Sequence, residues 1–70
     1  MFRNKLAELD RYIASAERRI TQQRVLIGRL AASGRGTEAA AKLLAELQGL
    51  LDILAERRRK LLDPRGRKAA

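Results

Sequence analysis

Apolar residues return along the first half of this chain at alternating spacings of four and three. The series runs Phe2, Leu6, Leu9, Ile13, Ala16, Ile20, then a polar Gln23, then Ile27 and Leu30. That is a heptad pattern in which Leu6, Ile13, Ile20 and Ile27 take the a positions. Phe2, Leu9, Ala16, Gln23 and Leu30 take the d positions. A strand alternates every second residue and cannot produce this period. The pattern predicts a helix over about residues 3–32, roughly 45 Å long at 1.5 Å per residue.

The stretch "AASGRGTE" ends it. Gly34 is suited to cap the helix C-terminus, because glycine enters the left-handed region without steric cost. Thr37 is suited to cap the next helix by accepting a backbone N–H bond, and Glu38 places negative charge at that helix's positive end. Two glycines so close raise the question of a phosphate loop. Neither dinucleotide spacing nor a Gly-Lys-Ser/Thr ending is present, so residues 33–37 read as a turn.

A second heptad series follows: Ala40, Leu43, Leu47, Leu50, Leu54, Arg57 and Leu61. It predicts a helix over about residues 38–62 that stops before Pro64, which disfavours helical geometry in Asp63. The expected fold class is all-α: an antiparallel two-helix coiled-coil hairpin over residues 1–63, with a basic flexible tail over 64–70. Folding about Arg35 is expected to bring Ile27 near Leu43, Ile20 near Leu50, and Ala16 near Leu54.

Helix 2 is apolar over more than one seam. With Leu43 and Leu50 turned to helix 1, Leu44, Leu51 and Ile53 remain uncovered. Each fully buried leucine stabilises by roughly 1.5–3 kcal/mol relative to exposure. Self-association is therefore expected, with a homodimeric four-helix bundle as its product, because two-fold dimers are the commonest homo-oligomers. The expected interface is Leu44, Leu47, Leu51, Ile53 and Leu54. Size argues the same way: seventy residues bury only about 60% of their unfolded surface, a marginal amount for a lone domain.

Composition narrows the chemistry. The chain has no cysteine and no histidine. Disulfides and ordinary zinc sites are thereby excluded, and the commonest general base is missing. The carboxylates fall mostly outside the seams, and Glu38 with Lys42 and Glu56 with Lys60 have the spacing of surface ion pairs. No catalytic, cofactor or metal residues are expected, and the protein is not expected to be an enzyme. The opening residues lack the apolar core of a secretory signal, and no apolar run is long enough for a membrane span. A cytoplasmic, membrane-free protein is the expectation.

Charge adds a second function class. Sixteen basic residues against eight acidic give a net charge of +8, which favours encounters with nucleic acid or an acidic protein. On helix 1, Arg11 and Arg18 lie seven residues apart, with Arg19 one column over and Arg24 nearer the turn. These four, with Arg65, Arg67 and Lys68 in the tail, are the candidate polyanion contacts. Only Phe2 and Tyr12 are aromatic, so the stacking platform of single-strand binders is missing. Residues 57–60 fan around a helix at about 100° each and cannot form one patch. Arg57 is expected in the seam, with Arg58 beside it.

The run "RYIASAERRITQQRVLIGRL", the glycine turn with Thr37, and "AAKLLAEL" resemble a group of small uncharacterised alphaproteobacterial helical-hairpin proteins. Arg11, Ile13, Glu17, Arg18, Ile20, Gln23, Arg24, Ile27 and Leu30 occupy matching positions, while Tyr12 stands where that group usually has histidine. The resemblance spans about residues 10–62. It implies a bacterial hairpin and carries over no site residue.

Overall fold

The computed structural model describes residues 2–63, with side chains from Asn4 onward. Two helices pack against each other: α1 over Phe2–Ala32 and α2 over Glu38–Leu62. Both begin and end within one residue of where the heptads and the turn chemistry place them. Phe2, expected in the seam, lies outside the described side chains, as do Arg65, Arg67 and Lys68.

The turn works as its glycine suggests. Gly34 has φ +73°, the left-handed conformation, and two backbone bonds close the helix end around it. Arg35 N–H donates to Leu30 O at 2.9 Å and Gly34 N–H to Ala31 O at 3.1 Å. This pair of bonds is a Schellman motif, which satisfies carbonyls the helix leaves over.

Thr37 departs from expectation. It occupies the N-cap position, but its side chain makes no capping bond. Only its carbonyl contributes, accepting from Ala41 N–H at 2.8 Å. The side chain is half-buried instead, so the residue packs over the turn rather than capping it. At the far end Asp63 turns extended (φ −82°, ψ 114°), the geometry that a following proline imposes.

The α1 seam is the predicted one. Ala16, Ile20 and Gln23 are buried, and Leu6, Leu9, Ile13, Ile27 and Leu30 are half-buried. The α2 seam requires a correction. Leu43 and Leu50 are 46% and 44% exposed, whereas Leu44 and Leu51 are half-buried, and Arg57 is exposed while Arg58 is half-buried. The working column is Thr37, Leu44, Leu51 and Arg58, beside Ala40, Leu47, Leu54 and Leu61.

Two contacts explain the choice. Arg58 Nε lies 2.7 Å from Asp10 Oδ1, and Gln23 Nε2 donates to Ala40 O at 2.9 Å. In this antiparallel order Ile20 and Leu51 share one hollow, and Leu9, Leu54 and Leu61 line one groove. The sequence carries doublets at Leu43-Leu44, Leu50-Leu51 and Arg57-Arg58, so a heptad fits either member. Under the alternative, the column would begin on Gly36, which has nothing to pack.

Candidate functional site: an uncovered apolar side

Two helices side by side make a plank, 53 × 19 × 11 Å between Cα extremes. Its two flat sides differ in chemistry. On α1 the column one residue ahead of the a positions is Lys5, Tyr12, Arg19 and Leu26. On α2 the matching column is Leu43, Leu50 and Arg57, with Glu46 and Ile53 a turn away on the same side. In an antiparallel pair these two columns lie on one flat side, and a groove shared by Tyr12 and Arg57 shows that they do.

Tyr12, Leu26, Leu43, Leu50 and Ile53 on this side are between 44% and 58% exposed. The opposite side is mainly polar residues and alanine, with Leu62 exposed near the open end. On it, Glu17, Arg24, Gln48 and Asp52 ring a shallow hollow over Ile20 and Leu51. Near the open end of that side the ion pair between Asp10 and Arg58 bridges the helices. Scattered exposed hydrophobics need no explanation, but five on one flat side form a patch.

The groove on the apolar side has a volume of about 850 Å³ and lies toward the open end of the hairpin. Leu9, Tyr12, Leu54 and Leu61 form its floor, with Lys5, Glu8, Arg57 and Lys60 among its walls. Tyr12 borders this groove beside Leu54, Arg57 and Leu61 of α2, and is 58% exposed.

The expected interface residues divide. Ile53 is exposed on the apolar side, as predicted. Leu54 is buried inside the hairpin, and Leu44, Leu47 and Leu51 are half-buried along its seam, so they meet α1. The leucines left for a second molecule are Leu43 and Leu50. Leu26 and Tyr12 on α1 join them, and the signal for those two was their seven-residue step from Arg19 in either direction.

The four described candidate polyanion residues are exposed but do not converge. Arg11 and Arg18 share the α1 column facing away from the seam, Arg19 stands within the apolar side, and Arg24 borders the polar one. None of the four forms an ion pair among the described residues. Near the end of α2, Arg59 grips both carboxylate oxygens of Glu56, so Glu56 pairs one residue earlier than its expected partner Lys60. The bond from Arg59 holds the Glu56 carboxyl below its ordinary value, and the same contact raises Arg59.

Among the described residues no group of three carboxylates is placed to hold a metal ion, and no helix is long and apolar enough to cross a membrane. Fold and side chains together define a class: an antiparallel helical hairpin with one uncovered apolar side. No family model, curated protein or solved structure matches the chain.

Proposed function

We propose that this protein is a non-enzymatic interaction or scaffolding module whose hairpins self-associate through the apolar flat side, giving a four-helix bundle. The observation that carries the reading is the gathering of Tyr12, Leu26, Leu43, Leu50 and Ile53 on one side of the plank. The thinness of the core supports it. Among the described residues Ala16, Ile20 and Leu54 are the buried apolar ones, and no side chain is fully buried. A lone hairpin this size has little apolar burial to offset its chain entropy. A stable interface covers on the order of 800 Å² per partner, and a flat side of 53 × 19 Å between Cα extremes is large enough to supply it.

Sedimentation velocity over a concentration series tests the reading. The wild type is expected to sediment as a dimer at high micromolar concentration. Leu50→Glu, at an exposed position on that side, is expected to give a helical monomer. A wild-type monomer throughout the series would end the proposal.

A second reading stands beside it, because Arg11 and Arg18 are exposed on the outer face of α1, clear of the apolar side. In that reading the dimer presents these residues to phosphates of RNA or DNA. Its affinity is expected to fall steeply with salt, as counterion release requires. Undetectable binding to duplex or structured RNA at low salt removes it.

A further inference from the structure

We infer that the second copy docks with its open end beside the first copy's open end, α1 of each hairpin lying on the partner's α2. This rests on self-association through the apolar side and adds the arrangement of the two copies.

Two flat sides can stack about a two-fold axis in two ways. An axis across the plank reverses the partner, so that each helix lies on its own copy. An axis along the plank keeps the open ends together and lays each helix on the other one.

Arg19 decides between them. It lies seven residues from Tyr12 and seven from Leu26, at the middle of the apolar stretch, level with Leu50. In the reversed arrangement with full overlap, the two copies of Arg19 meet on the axis. Two guanidiniums would then be pressed together where the interface is driest, and like charges taken out of water repel strongly.

In the lengthwise arrangement the axis holds every layer at its own height. The contact of Asp10 with Arg58 sets that height to within about a residue, and the groove shared by Tyr12 and Arg57 puts the two columns on one side. Leu26 then lies against the partner's Leu43, and Tyr12 lies level with the partner's Arg57, one helical turn from the partner's Ile53. Arg19 packs its stem near the partner's Leu50, with its head within about one helical turn of the partner's Glu46. Glu8 falls level with the partner's Lys60. Both acids of the apolar side meet a cation, and no like pair sits at the centre.

The chain contains no cysteine, so single-cysteine variants report the arrangement without background. Oxidative cross-linking is carried out on equimolar mixtures of singly substituted full-length chains. Leu26→Cys mixed with Leu43→Cys is expected to give the linked heterodimer, because those positions face each other across the interface. Tyr12→Cys mixed with Leu26→Cys is expected to remain unlinked, and so is Leu50→Cys alone. Linking of Leu50→Cys to itself, or of Tyr12→Cys to Leu26→Cys, identifies the reversed arrangement and overturns the inference while leaving self-association intact. The same holds if no pair links although the wild type sediments as a dimer. A wild-type monomer in sedimentation overturns both.

Discussion

Gln23 reaches from the seam of α1 to the backbone of α2, where its Nε2 donates to Ala40 O at 2.9 Å. It is the buried polar residue of the hairpin, 9% exposed, and sits where every other described d position of α1 is apolar. A polar seam residue of this kind fixes register at some cost in stability. The partner is a main-chain atom, so the bond reads the height of α2 and not the identity of its side chain. Gln23→Ala is expected to lower the unfolding free energy by about 1–2 kcal/mol in urea denaturation, losing one hydrogen bond and its packing. Gln23→Leu keeps the volume and is expected to hold stability near the wild-type value. An unchanged denaturation midpoint for Gln23→Ala would remove the register role.

The leucine doublets of α2 allow a paired test. Leu44 and Leu51 are half-buried against α1, whereas Leu43 and Leu50 are exposed in the hairpin. Leu44→Ala and Leu51→Ala are expected to destabilise by about 1–3 kcal/mol, less than a fully buried leucine because these sites are half open. That loss should be similar at every protein concentration. Leu43→Ala and Leu50→Ala are expected to leave the dilute-solution melting temperature unchanged and to flatten its rise with concentration. Thermal melts at a series of concentrations separate the two. If both pairs behaved alike, the seam assignment would be wrong.

The doublets also mark the limit of what the residue pattern could say. Two helices, the turn, and the described part of the α1 seam were legible because hydrophobic period, glycine and proline agree there. On α1 the column beside the a positions is interrupted by Lys5 and Arg19, so Leu6, Ile13, Ile20 and Ile27 are the continuous apolar choice. On α2 each choice between Leu43 and Leu44, or Leu50 and Leu51, satisfies the same heptad. What settles it is a pair of cross-helix contacts, Asp10 with Arg58 and Gln23 with Ala40, between residues 48 and 17 apart in sequence. No single-helix pattern contains that information. The apolar side inherited the error: once the register moves, Leu43 and Leu50 take the place of Leu44 and Leu51 on the open surface. Thr37 was misread for a related reason, since it continues the Leu44 and Leu51 column and its side chain packs.

Gly28 and Gly49 lie inside helices, where glycine costs about 1 kcal/mol relative to alanine. A Cβ at either position would meet nothing within 4 Å. Neither is needed for the approach of α1 to α2, and neither lies in the columns of the apolar side. Gly28 stands at the end of a column of small residues, Ala7, Ala14, Thr21 and Gly28, spaced seven apart on α1. Gly28→Ala and Gly49→Ala are each expected to raise the unfolding free energy by about 0.5–1 kcal/mol in denaturant titrations, with self-association unaltered. A loss of self-association in Gly28→Ala would instead show that this column contacts a second copy.

Glu56 and Arg59 set an acid limit on the last turns of α2. Arg59 donates to the Glu56 carboxylate, and that bond, ahead of the charge attraction, lowers the carboxyl from its ordinary value of 4.5. A group depressed in the folded state stabilises fully above its unfolded value and loses that contribution as pH falls through the folded one. The pair is exposed, so solvent screens it and the effect on the whole hairpin is small. The local effect is readable: carbon-detected NMR of the Glu56 carboxyl should show a midpoint below that of the unfolded chain. Arg59→Gln is expected to return the midpoint toward 4.5 and to increase fraying near Lys60 at neutral pH. High salt should shrink the shift in the wild type, because screening weakens the attraction between two solvent-exposed charges. A Glu56 midpoint that did not respond to Arg59→Gln would assign the depression to the other cations of the run, Lys60 first among them.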